Sequence, residues 1–331
     1  MAALSAGTAG GIWGGMEVTH MLTFGRAMSW VVLCGCLLAV EAAAASLELH
    51  APAVADTGAA FLAQVRTDAA GDTVVFHWRR KAYAVPLEAD TPTAVAPAGG
   101  LTASPAGRTA YVLLPVPLDE KKMSLPLTVQ LGTGANAVHT ARTIQVRRTQ
   151  RPEQRLTVEP KYVAPPPQER ERIQQERELV LAALAGYSTE RLWTLPLLRP
   201  VAGAPSSLFG LKRIFNGEPR GEHKGLDLRG AAGTPIRALA DGRVVLARSL
   251  YYSGNAVYVD HGLGVFSAYM HMSAFAVRAG QTVRRGDVLG QVGATGRVTG
   301  PHLHLSLYVQ GSAVDPEPLL EARQEKNHAQ K

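Results

Sequence analysis

The chain has 331 residues, 46% of them hydrophobic, and 34 Lys and Arg against 27 Asp and Glu leave a net charge of +7 and a pI near 9.5. Aromatic residues make up only 6% and no basic run reaches five residues, which excludes the usual nucleic-acid binding patterns; a basic surface suits an anionic cell envelope. Helical periodicity is scarce, whereas Gly, Pro, Val and Thr are plentiful, so a mainly β protein of about two domains is expected.

Residues 1–45 read as a signal peptide. Arg26 gives a short positive region, Trp30–Val40 (WVVLCGCLLAV) the apolar stretch, and EAAAAS the small-residue cleavage sites near Ala43 to Ala45. The apolar run is too short to span a membrane, which needs about 20 residues. Residues 1–20 are rich in Gly and Ala and carry no targeting logic, so Met16 or Met21 serves as well as Met1 for the initiator. Cys34 and Cys36 both lie in this segment. The apolar sequence continues past Cys36, unlike a lipoprotein signal, so a soluble mature chain without thiols is expected in the periplasm, cell envelope or medium.

From 46 to 150 the pattern is short strands between turns: SLELHA, AFLAQVRT, TVVFHWRR, TAYVLLPV, LPLTVQL and TARTIQVRR. Their spacing near ten residues predicts a small β-sandwich. It holds no ligand cluster, and His50, His77 and His139 receive no role. In the 151–200 linker, EPKYVAPPPQ predicts an extended spacer, and Gln168–Gly186 an amphipathic helix bracing the two domains. A charged tail occupies 321–331.

The chemistry concentrates in 201–320. Five of the ten histidines fall between 223 and 304. In HLHLSL, alternation puts His302, His304 and Ser306 on one face and Leu303, Leu305 and Leu307 on the other. In FSAYMHM it predicts Phe266, Ala268, Met270 and Met272 on the apolar face, with Ser267, Tyr269 and His271 opposite. His223, Gly225 and Asp227 of HKGLD are expected on one side of their strand. Three strands offering imidazole or carboxylate to the same side suit a metal site. A catalytic zinc takes three N or O ligands and leaves a fourth position for water, whose pKa it lowers toward about 7. Two histidines and one aspartate suffice, freeing the other two histidines to act on water or substrate. No HExxH occurs, so a proton shuttle here must be a histidine.

These motifs, with SLFGLKR, GTPIRALADGRVV, GNAVYVDHG, GQTVRRGDVLGQVGATG, TGPHLHLSL and VDP, resemble the M23 (LytM/lysostaphin-type) zinc metallopeptidases that cut peptidoglycan cross-links. The resemblance covers roughly residues 207–318. It implies a C-terminal β-sheet and hairpin catalytic domain, one zinc ion per chain held by His223, Asp227 and His304, and His271 and His302 as the catalytic pair. The lysostaphin-like branch places a Tyr before the first ligand; none lies between Phe209 and His223 here, which makes His271 the candidate for stabilising the oxyanion. The implied partner is peptidoglycan, through its stem peptides or cross-bridges, and the implied enzyme is a zinc endopeptidase; a monomer is expected, although the sequence does not fix the oligomeric state. A direct stem-peptide D,D-endopeptidase is preferred over a pentaglycine cutter because no wall-binding repeat is present. The alternative is a noncatalytic LytM-type regulator of another wall hydrolase, which the filled set of site residues disfavours.

Other motifs are set aside on physical grounds. His261 in VDHG reads as a turn residue or a support behind the ligands. GATGRVTG ends in neither Lys-Ser nor Lys-Thr and leads into a strand, unlike a phosphate loop. The two Gly-turn hairpins resemble lipoyl carrier domains but lack a Met-Lys-Met acceptor.

Overall fold

The computed structural model describes residues 46–90 and 107–323. The expected leader, 1–45, lies outside the described residues, as do residues 324–331 of the tail. No described helix is long and apolar enough to cross a membrane.

The N-terminal strands alternate as their sequences do. AFLAQVRT buries Phe61, Ala63, Val65 and Thr67 and turns the intervening residues outward. One sheet runs Leu47–His50, Ala60–Thr67, Arg108–Pro115, Glu88–Ala89; the other runs Val54–Asp56, Val138–Arg147, Ser124–Leu131, Thr73–Trp78, Lys81–Pro86. Both face a shared core of Val65, Val112, Phe76, Trp78, Val129 and Ile144. Trp78 meets Phe61 edge-on at 5.2 Å, and its indole N–H donates to the Pro115 carbonyl at 2.8 Å, so its one polar atom is satisfied in the interior. His50, His77 and His139 are exposed on this unit's surface.

The first sheet is covered on its other side too. Leu113 belongs to the core of the C-terminal half, where Ala60, Leu62 and Tyr111 also pack, and Leu263 reciprocates in the N-terminal core. Arg191 pairs with Glu88 and lies over the Tyr111 ring. Direct apolar packing, rather than a spacer, therefore joins the two halves. The Pro-rich segment packs against the C-terminal half instead of extending freely. It forms short 3-10 turns at Pro160–Tyr162 and Pro167–Glu169, Tyr162 packs on Tyr251 at 5.4 Å, and the Tyr251 hydroxyl donates to the Lys161 carbonyl.

Three short strands, β1 (Glu153–Leu156), β2 (Lys212–Phe215) and β3 (Glu218–Glu222), form a small sheet in that order. The helix α1 (Arg170–Leu184) buries no residue fully. The large sheet is built from β4 (Leu226–Arg229), β5 (Gly242–Leu250), β6 (Gly254–Asp260), β7 (Val265–Phe275), β8 (Val288–Val292) and β9 (His302–Val309). Its order is β4-β9-β7-β6-β5, with Pro205–Ser207 beside β4, Thr282–Val283 beside β5, and β8 on the end of β7. One face buries Leu226, Leu228, Leu303, Leu305, Val257 and Val259. On the other, Leu179, Val180, Ala183 and Leu184 of α1 cover Leu246, Leu250, Tyr258 and Met270. The polar residues of β4 and β9 occupy the rest of that second face.

Candidate metal centre

Antiparallel pairing brings the site residues together. In β4 and β9, Asp227 lies opposite His304 and Arg229 opposite His302; in β7 and β9, Met270 lies opposite His304 and Ala268 opposite Ser306. Directly opposed residues share a face. Asp227, His302, His304 and Ser306 thus project to one side, as alternation predicts. His223 stands in the connection between β3 and β4, not on a strand. The Asp227 carboxylate Oδ1 lies 2.8 Å from His304 Nδ1, 3.0 Å from His223 Nε2 and 3.7 Å from His302 Nε2. His223 Nε2 and His304 Nδ1 are 3.0 Å apart.

His271 arrives by a different route from the one its sequence suggests. Met270 and Ala268 share the site face, so strict alternation would turn His271 into the apolar core. Ser267 and Tyr269 do point there: Tyr269 is fully buried, and its hydroxyl accepts from the Leu239 amide at 2.9 Å and from Ser267 at 3.0 Å. The expected common face of Ser267, Tyr269 and His271 is therefore corrected. The register slips between Asn255 and Val257, where Met272 and Tyr269 are their opposites, inserting one extra residue in β7. At this bulge His271 adopts φ +65, a left-handed conformation costing about 1 kcal/mol or more for a side chain that is not glycine. The reversal sets the His271 ring 5.0 Å from His302 and 5.9 Å from His304.

Hydrogen bonds behind the rings fix which nitrogen faces the site. His223 Nδ1 lies 2.7 Å from the Leu208 carbonyl, His271 Nδ1 2.9 Å from that of Thr295, and His302 Nδ1 2.8 Å from that of Gly300. A carbonyl only accepts, so each Nδ1 carries the proton and each Nε2 presents its lone pair. His304 is reversed: its Nε2 lies 2.9 Å from Ser306 Oγ, whose proton is committed to the Lys224 carbonyl at 2.7 Å. Nε2 must donate, and Nδ1 turns its lone pair inward. Burial pushes His304 below the ordinary imidazole value. Burial, with the charges of His304 and His302, takes His271 down to about 3. Ligand atoms from His223, Asp227 and His304 all lie within 4.8 Å of one another. Two lone pairs and a carboxylate oxygen converging at this spacing repel each other unless a cation sits among them, and N and O donors in this number fit zinc.

The surrounding residues hold the constellation in place. Arg213 donates to Asp227 Oδ2 at 2.9 Å and to Ser207 Oγ at 3.0 Å, and Ser207 donates to Gln154 on β1 at 2.7 Å. Oδ2 is thereby engaged while Oδ1 faces the imidazoles. A Cβ on Gly225 would lie 2.4 Å from His304 Nε2 and 2.7 Å from the Leu305 carbonyl, so only glycine leaves room for that ring. His261 is fully buried, between the Asp241 carbonyl and Ser267 Oγ, both at 2.7 Å, and it contributes nothing to the ligand set. Sequence reasoning missed Arg213, Thr295, Gln154 and the steric need at Gly225. HLHLSL did place Ser306 beside His304, and period 2 is the signal that points to its role. The site floors a groove of about 620 Å³ between β1–β3, the large sheet and the 297–301 loop.

A β-sheet domain carrying two histidines and an aspartate at bonding distance, with two further imidazoles beside them, defines a metallopeptidase-like architecture. Residues 221–316 match the model of peptidase family M23, and the chain contains a domain of that family. The chain is 45% identical over 93 residues to the peptidoglycan DD-endopeptidase ShyA of Vibrio cholerae, covering 28% of this chain and 22% of that protein. It is 46% identical over 94 residues to the DD-carboxypeptidase/endopeptidase Mpg of Neisseria meningitidis, with the same two coverages. The similarity thus spans about a fifth of the length of these curated relatives. A crystal structure from Pseudomonas aeruginosa assigned to peptidase M23 superposes with a TM-score of 0.55 at 28% identity, covering 78% of this chain and 93% of that one.

Proposed function

We propose that the protein is an exported zinc-dependent endopeptidase that hydrolyses peptide cross-links of peptidoglycan, with His223, Asp227 and His304 as ligands of one zinc ion. The observation that carries this reading is the inward convergence of His223 Nε2, His304 Nδ1 and Asp227 Oδ1 at 2.8–3.0 Å, each held there by a hydrogen bond behind it. The names of the similar proteins from V. cholerae and N. meningitidis supply the substrate class. A bound zinc ion supplies Lewis acidity and a water of lowered pKa. The chain's own residues do the rest. His271, neutral with its Nδ1 proton committed to Thr295, offers Nε2 as a proton acceptor rather than as the oxyanion donor expected from the sequence. His302, half-buried beside it, also presents its Nε2 lone pair, so it first takes up a proton there and then passes that proton to the departing amine.

The peptide rather than the glycan is the substrate part this chemistry suits. Glycosidic cleavage calls for two carboxylates flanking the bond, and Asp227 is committed to the imidazoles. Digestion of purified sacculi followed by product separation tests the proposal. Cross-linked dimers should collapse to monomers while glycan chains stay intact; new reducing ends with dimers untouched defeat it.

A further inference from the structure

Arg297 is the second residue of GRVTG, on the loop bordering the groove. Its guanidinium carbon lies 4.7 Å from the centroid of the Phe215 ring and 4.8 Å from that of Tyr252, so aromatic groups from β2 and from the β5–β6 turn clamp the flat group. Its own amide donates to the Tyr252 carbonyl at 2.9 Å, fixing the loop to the clamp. Among the described residues, no carboxylate or carbonyl takes a hydrogen bond from this guanidinium.

The two arginines near it are already engaged. Arg213 is held by Asp227 and Ser207, and Arg220 by Glu218 and the Val163 carbonyl. Burial, together with the charges of Arg213 and Arg220, pushes Arg297 below the ordinary guanidinium value. A half-buried, uncompensated cation is costly to maintain. The lining as a whole is basic, with five Lys and Arg side chains against the carboxylates of Glu222 and Asp227. A guanidinium held over two rings, with no protein acceptor on it, keeps its fork of N–H donors free for a planar, bidentate anion.

We propose that Arg297 is a specificity-determining residue that takes a free carboxylate of the peptide substrate, away from the bond being cut. Phe215 and Tyr252 orient it by restricting the guanidinium to one plane. This assignment rests on the peptide-hydrolase reading above.

The test compares a purified cross-linked muropeptide dimer with the same dimer after its carboxylates are converted to carboxamides. Equilibrium binding to the full chain, treated with chelator so that nothing is cleaved, reads the site without turnover. The parent protein should bind the carboxylate form on the order of 10–100-fold more tightly, the range of a charge-assisted bidentate contact. Arg297→Met, which keeps the stacked methylenes, should bind both forms equally. Arg297→Lys should keep part of the preference, as a point charge without the fork. Equal binding of both forms by the parent, or an undiminished preference in Arg297→Met, overturns the proposal. Arg297-dependent binding without cleavage by the zinc-loaded protein leaves this site standing and overturns the endopeptidase reading instead. Cleavage of dimers with no such preference does the reverse.

Discussion

The hydroxyl of Ser306 stands 2.9 Å from Nε2 of His304, two residues earlier on the same face of β9, and donates its own hydrogen bond to the Lys224 carbonyl. One hydroxyl thereby fixes the tautomer of His304 and ties its ring to the chain that carries His223 and Asp227. Removing such an outer partner usually lowers metal affinity by about 10–100-fold. Ser306→Ala should show a loss of this size in competition with a chromogenic chelator, and Ser306→Thr should show little. Affinity unchanged in Ser306→Ala removes the relay from the metal site.

The five site residues should separate into two groups. His304→Ala and Asp227→Asn should lose zinc and activity together, and should no longer gain thermal stability when zinc is added. His271→Ala and His302→Ala should retain zinc yet lose roughly 10²–10⁴-fold in cleavage rate, the scale of an acid–base group. Metal analysis and sacculus digestion on the same preparations decide it. Full zinc in His304→Ala breaks the ligand assignment; near-parental rates in the other pair make those histidines structural.

Gly225→Ala probes the tightest contact at the centre. The added carbon would stand 2.4 Å from His304 Nε2 and 2.7 Å from the Leu305 carbonyl, both closer than real Cβ atoms come to a neighbour. The ring or strand β4 must shift, at an overpacking cost of about 1–3 kcal/mol. Urea unfolding of the chelator-treated variant should show that loss, and zinc binding should weaken in parallel. A variant matching its parent in both measurements shows that the ring has room to move.

What the sequence disclosed depended on how regular each segment is. HLHLSL obeys period 2 from His302 to Leu307, so its polar face could be read directly and lies where alternation puts it. FSAYMHM does not, because the bulge before His271 is written in no residue type: nothing in YMH announces a left-handed histidine. His271 was nonetheless found, through the family's motif rather than through periodicity. The mainly β architecture was legible from short, turn-bounded runs such as AFLAQVRT. The packing of Leu113 into the C-terminal core was not, since an apolar residue does not specify which core it joins. Arg213 and Gln154 escaped for the same reason: they reach Asp227 through contacts between segments distant in sequence, Arg213 directly and Gln154 through Ser207 and Arg213.

The last prediction concerns His261, whose ring is enclosed behind β7. Burial pushes its pKa below the ordinary imidazole value, outweighing the hydrogen bond to the Asp241 carbonyl and the charges of Asp260 and Asp241, which pull it up. In the unfolded chain the same group titrates near 6.5. Between its folded value and 6.5 the unfolded state therefore binds more protons, and stability rises with pH across that window. The contribution is complete above about pH 6.5 and is lost as pH falls toward and through the folded value. His261→Gln offers a polar side chain that does not titrate, so its stability should vary less steeply in this range even though its absolute stability falls. Urea midpoints at several pH values from 5 to 7.5, for parent and variant after chelator treatment, measure the difference in slope. Parallel profiles would mean that His261 keeps the same proton affinity folded and unfolded, which a fully enclosed imidazole cannot do without water reaching its ring.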